Sequence, residues 1–155
     1  MGNPITKEEI LAGVANEHRH FFRVGVAVMP REMFGIVESF WTAVRCIAPA
    51  MWLSHPAHVM FSTAPFSVTL KHGELLYRTR SEVINAHVEH MVFLDCNKMF
   101  VTRPQMQVAC ILEELVHALM HISDEHLVSV VVASLYSGIT FVDGKYHVVE
   151  PVVPA

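Results

Sequence analysis

Apolar positions step by three and four through four stretches of the chain, and short apolar runs bounded by turn residues lie between them. Thr6-Lys7-Glu8-Glu9 has the form of a capping box, so a first helix is predicted over residues 7–20. Its apolar face takes Ile10, Leu11, Val14 and, further on, Phe21 and Phe22. Pro30 opens a second helix, in which Met33, Phe34, Val37, Phe40, Trp41, Val44 and Ile47 recur at the same steps until Pro49. Residues 50–65 read as irregular. Extended segments follow at Phe66–Leu70 and Leu75–Tyr77, joined through Lys71-His72-Gly73-Glu74, and again at His90–Leu94. The sheet therefore belongs to the middle of the chain.

The clearest helix spans residues 103–121, capped by Thr102, with Pro104 in its first turn and Val108, Ile111, Leu112, Leu115 and Leu119 as a narrow stripe. His121-Ile122-Ser123 turns the chain, and Ser123 caps a further helix over residues 124–136. Ile139–Val142, Asp143-Gly144 and Lys145–Val149 make a hairpin, because Asp-Gly suits a type I′ turn. The elements predict one α+β domain over residues 1–155: a helical part (1–50), a core with a small mixed sheet (51–150), and a tail (151–155).

Composition adds two facts. Hydrophobic residues make up 52% of the 155 and charged residues 17%, which excludes disorder. The 11 His equal Lys and Arg together, and the net charge is −4 with His neutral, so no cationic surface invites nucleic acid. Residues 46–70 carry no Lys, Arg, Asp or Glu, but Pro49, Pro56, Pro65, His55 and His58 interrupt them, and neither this run nor 127–142 reads as a membrane span. Met1–Ile10 lacks the pattern of a signal peptide, so a cytoplasmic chain is expected. Cys46, Cys96 and Cys110 are too widely spaced for a disulfide framework or a cysteine zinc module.

The candidate chemistry lies on the helix over 103–121. At about 100° per residue, Glu113, His117, His121 and Glu114 share the side opposite the apolar stripe. Glu113 and His117 stand at i, i+4, and Glu114 and His117 at i, i+3, spacings at which side chains can meet on one metal ion. Helices ordinarily have solvated polar faces, and that is the plain alternative. Against it, no Lys or Arg occurs from Pro104 to Gly144, while Glu113, Glu114, Asp124, Glu125 and Asp143 accompany three His. Such an unpaired set suits a divalent cation. A further ligand must come from beyond the turn, where Asp124, Glu125 and His126 follow.

Leu112-Glu113-Glu114-Leu115-Val116-His117-Ala118-Leu119 resembles the active-site helix of zincin metallopeptidases, whose motif is H-E-x-x-H. The first His is Glu113 here, giving E-E-x-x-H, a departure shared by some zincin-like bacterial families with an E-E-L helix. The resemblance covers about residues 88–136. It implies zinc (or another divalent cation), with Glu113 and His117 as ligands, Glu114 as general base and a peptide or protein as substrate. It also implies a third ligand: Glu125 or Asp124 from the next helix, or His121 if the helix ends just before it. Met120 and Ser123 occupy the places where a metzincin-like layout has Gly and His. In such folds a strand before the helix, here His90–Leu94, aligns the substrate.

Two other functions fit the residues. A zincin-derived module without catalysis, assembling with itself or a partner, suits the apolar fraction and nine Met. A carboxylate–histidine di-iron protein would pair Glu114-x-x-His117 with Glu17-x-x-His20, although the extended middle departs from the helical bundle that such sites use. No G-x-S-x-G elbow or Gly-rich phosphate loop occurs.

Overall fold

The structure is a computed structural model that describes residues 3–63, 66–70, 73–77 and 84–150, with backbone alone for 66–70 and 73–77. The capping box forms, Glu9 N donating to Thr6 Oγ1 at 3.2 Å and Thr6 N to Glu9 Oε2 at 2.9 Å. The expected helix over 7–20 is nevertheless broken into α1 (Lys7–Ala12) and a single turn, α2 (Asn16–Arg19). The break falls at Gly13, where a Cβ would stand 2.2 Å from the Trp41 ring. Trp41 Nε1 donates to Ile10 O at 2.6 Å, and Arg19 Nη2 takes up the freed Val14 carbonyl at 3.0 Å. Phe22 then heads a strand, β1 (Phe22–Val26), burying Phe22 and Val24 and exposing Arg23. The N-terminal part is thus not purely helical.

After a 3-10 turn at Arg31–Met33 comes α3 (Phe34–Ile47), as its spacing predicts. Residues 50–65 hold a second unforeseen strand, β2 (Ala57–Ser62), with Ala57, Val59 and Phe61 buried. The expected hairpin is β3 (Phe66–Leu70) against β4 (Gly73–Tyr77), paired antiparallel, while its turn at residues 71–72 and the tail at 151–155 lie outside the described residues. Then follow β5 (Asn85–Val88), β6 (Met91–Asp95), α4 (Cys96–Phe100), α5 (Pro104–Met120), α6 (Glu125–Leu135), β7 (Ile139–Val142) and β8 (Lys145–Val148). Asp143 (φ 51°) and Gly144 (φ 73°) form the left-handed pair that a type I′ turn requires.

Two caps differ from expectation. Arg103, not Thr102, precedes α5, because the Thr102 hydroxyl donates back to Lys98 O at 2.9 Å. Asp124, not Ser123, caps α6, its carboxylate accepting from Leu127 N at 2.7 Å where the helix dipole favours negative charge.

The fold is α+β. The four-stranded sheet runs β1-β2-β6-β5, with β1, β2 and β6 parallel and β5 antiparallel to β6. Helix α3 packs along α5, and Phe40 of α3 meets Phe22 of β1 and Phe61 of β2 edge to face at 5.8 and 5.5 Å. Gln107 joins α3, α4 and α5: its Nε2 donates to Met99 O (2.8 Å) and Thr102 O (3.0 Å), and the Ser39 hydroxyl donates to its Oε1 (2.8 Å). Every polar atom of this buried amide is satisfied. Among the described residues no single helix is long and apolar enough to cross a membrane. The α5–α6 pair passes by length and composition only as a unit bent by 114°.

Candidate functional site

Helix α5 is buried along most of its circumference, so the side opposite its apolar stripe does not face open solvent. The β5 strand and α6 cover it, and between them lies a cavity of about 480 Å³ lined by Ile84, Asn85, Ala86, His87, Cys110, Glu113, Glu114, His117 and Glu125. The solvated-face alternative fails for His117, whose side chain is 4% exposed. Among the described residues no Lys or Arg lines the cavity.

His117 is oriented by the turn that follows its own helix. Its Nδ1–H donates to Ile122 O at 2.6 Å, since a carbonyl can only accept. Nε2 is left pointing at Glu125 Oε2, 3.2 Å away. A bare ring lone pair facing a carboxylate oxygen is repulsive, so this contact calls for a proton shared between the two groups or a cation between the two atoms. Two donors on one tetrahedral zinc at about 2.0–2.2 Å lie about 3.3–3.6 Å apart. The observed separation is close to that range. Glu125 reaches this place because Asp124 is consumed as the α6 cap, which leaves Glu125 at the first helical position.

The carboxylates of α5 differ from each other. Glu113 Oε1 accepts from the Tyr146 hydroxyl of β8 at 3.3 Å, and burial raises its pKa above the ordinary value against the pull of that hydrogen bond. Glu114 is pushed up to about 8, first by burial and then by the negative charges of Glu113 and Glu125. Its Oε2 lies 2.8 Å from His87 Nδ1. His87 is itself lowered, by burial and then by His117, whose ring stacks on it at 4.2 Å. The shared proton therefore rests on Glu114, whose O–H donates to His87. Cys110 is pushed up to about 12, mainly by burial, and is an inert thiol in the wall.

The structure thus brings Glu113, Glu114, His117 and Glu125 to one cavity. His121 is not among them, although α5 does end just before it: it adopts a left-handed conformation (φ 55°, ψ 34°) and leaves in another direction. His126 stacks edge-on to Phe141 at 5.4 Å, away from the cavity. Glu17 lines a separate hollow with Phe21, Met51 and Trp52, so the two E-x-x-H spacings do not meet. The strand at His90–Leu94, expected to align a substrate, is β6, and its backbone is paired on both sides by β2 and β5. The strand beside the cavity is β5.

Sequence reasoning missed Asn85 and reads His87, three residues before His90, as a paired ligand only on a helix and otherwise as a surface or core-edge histidine. Asn85 lines the cavity; its Oδ1 accepts from Asp95 N at 3.1 Å, while its buried Nδ2 has no partner among the described residues. Their signal was the i, i+2 spacing that puts both on one side of a strand, and it was hidden because β5 is only four residues long. Among the described residues no three His, Cys, Asp or Glu side chains are already arranged to hold a metal ion; Glu113 is turned toward Tyr146. No family model, curated protein or solved structure matches the chain.

Proposed function

We propose that the chain is a metal-dependent hydrolase of the zincin type, acting on a peptide or protein. The observation that carries this reading is the His117 ring, fixed through Nδ1 so that Nε2 faces the Glu125 carboxylate 3.2 Å away in a cavity to which the described residues bring no Lys or Arg. The donors suit zinc: one imidazole with Glu125 and, after turning from Tyr146, Glu113. A zinc ion bound there supplies Lewis acidity toward a carbonyl and toward water. Glu114, next to these donors and hydrogen-bonded to His87, is the group that takes and returns a proton, and a cation in the cavity draws its pKa down from about 8 into the range of a base. The unpartnered Asn85 amide offers an N–H to the substrate side of the cavity. Two anionic ligands weaken the Lewis acid, so slow turnover is expected.

The test is metal content after purification and zinc reloading, for wild type and His117→Ala. One zinc that is lost in H117A supports the reading; zinc content unchanged by H117A removes it. Glu114→Gln then separates chemistry from binding, because it should keep zinc and abolish peptide hydrolysis. A second reading, an interaction module that retains the helix without catalysis, draws on the absence of a ready-made three-ligand arrangement among the described residues. It predicts that neither variant changes any hydrolytic rate.

A further inference from the structure

The carboxylates of Glu113, Glu114 and Glu125 line the α5–α6 cavity, and the described residues bring no Lys or Arg to it. Asn85 lines it too, 4% exposed, with its buried Nδ2 unpartnered among the described residues. Its Oδ1 accepts from Asp95 N of β6 at 3.1 Å, so the N–H end of the amide is the one turned away from β6. We propose that the cavity, on the peptide reading given above, takes a peptide at a basic residue: the carboxylates receive the Lys or Arg side chain, and the Asn85 N–H holds a carbonyl oxygen of the same residue.

Charge selects the side chain. Glu114 is raised by the negative charges of Glu113 and Glu125, and Glu113 by that of Glu125, so the three groups repel one another. A cation placed among them relieves that repulsion, and an acidic side chain adds to it. Three carboxylates outnumber the charges of one divalent ion, so the preference holds with or without a metal. Glu125, with a side chain 78% exposed, meets an arriving cation first, and Glu114, at 12%, lies deeper. Ile84, Ala86 and Cys110 complete the lining with apolar atoms, along which the methylenes of a long basic side chain can lie. At about 480 Å³ the cavity has the size of ordinary ligand pockets.

The amide selects the backbone. A buried N–H without an acceptor keeps its desolvation cost until a ligand supplies one. Beside the carboxylates a neutral carbonyl serves, where an anionic acceptor is repelled. A Lys or Arg residue within a peptide carries both groups at once, a cation at the end of its side chain and a carbonyl in its backbone.

The experiment is isothermal titration of the full chain, in chelator, with acetyl-lysine methylamide, acetyl-norleucine methylamide, acetyl-glutamate methylamide and butylammonium. The lysine probe should bind at least about tenfold more tightly than the norleucine probe, and the glutamate probe more weakly than either. Glu125→Gln should reduce the lysine preference. Asn85→Asp keeps an oxygen for Asp95 N but loses the donor. It should weaken the lysine probe about three- to tenfold relative to butylammonium, which has no carbonyl. If circular dichroism shows N85D unfolded, the wild type decides the same point, because the lysine probe should bind it more tightly than butylammonium does. No binding of the lysine probe, equal binding of the lysine and norleucine probes, or an unchanged ratio of lysine probe to butylammonium in N85D overturns the proposal. A lysine preference in a chain whose zinc content H117A leaves unchanged keeps the peptide site and removes the metal-dependent hydrolase. Zinc lost in H117A with no lysine preference removes the basic specificity alone.

Discussion

The burial of Glu114 has a direct consequence for stability. Its pKa rises from an ordinary 4.5 to about 8 in the folded chain. Folded protein therefore holds this proton more tightly than unfolded protein does. The stability it contributes is whole below pH 4.5 and is lost as the pH rises through 8. At about 1.4 kcal/mol per pH unit the full loss is about 4–5 kcal/mol, an upper limit because the side chain keeps 12% of its exposure. Glu114→Gln cannot ionise, and its amide N–H can still donate to His87 Nδ1. Urea unfolding in the presence of a chelator, followed by circular dichroism from pH 5 to pH 9, reads the difference. The variant should gain on wild type steadily across that range, by up to the limit above, and the gap should level off beyond pH 8. Parallel stability curves for the two proteins would mean that Glu114 is ionised at little cost, and burial would not be what raises its pKa.

Four further expectations concern the scaffold. Gln107→Leu strips the Met99 and Thr102 carbonyls of their donor and should cost about 2–4 kcal/mol in denaturant unfolding; a neutral result would refute the three-helix joint. Phe40→Ala opens a void between α3 and the sheet at a fully buried position and should cost about 3–5 kcal/mol. Gly13→Ala drives a methyl into the Trp41 ring, so besides losing about 1–3 kcal/mol it should red-shift tryptophan fluorescence; an unchanged spectrum would contradict the close approach. Cys96 and Cys110, both pushed up to about 12 chiefly by burial, should resist iodoacetamide at pH 8 in the native state and react once unfolded, as read by mass spectrometry.

Where local chemistry and tertiary packing agreed, the sequence could be read directly. Thr6 and Glu9 cap as their spacing requires, α3 follows its apolar steps, and Asp143-Gly144 turns the last hairpin. Strands β1 and β2 escaped because their alternation is short and abuts other signals. Phe21-Phe22 extends a helical stripe on paper, and Pro56 with two His makes Ala57–Ser62 look like loop. For the site, helix periodicity placed Glu113, Glu114 and His117 together, and of the three residues open beyond the turn, Asp124, Glu125 and His126, Glu125 lines the cavity. Periodicity on one helix cannot say which strand covers it, so the placing of His87 and Asn85 over α5 could not be read from it. The same limit applies to His121, whose direction depends on one left-handed residue rather than on any repeat.

The elbow between α5 and α6 acts as a ruler. Asp124 and Glu125 are neighbours with unrelated duties: one stops the helix from fraying, and the other sets a carboxylate against His117. Replacing Glu125 alone would leave Asp124 as a serviceable cap while taking the carboxylate away from His117. Fold and site would part company at a single peptide bond. A lineage drifting at this one position would lose the His117–Glu125 contact without losing its shape.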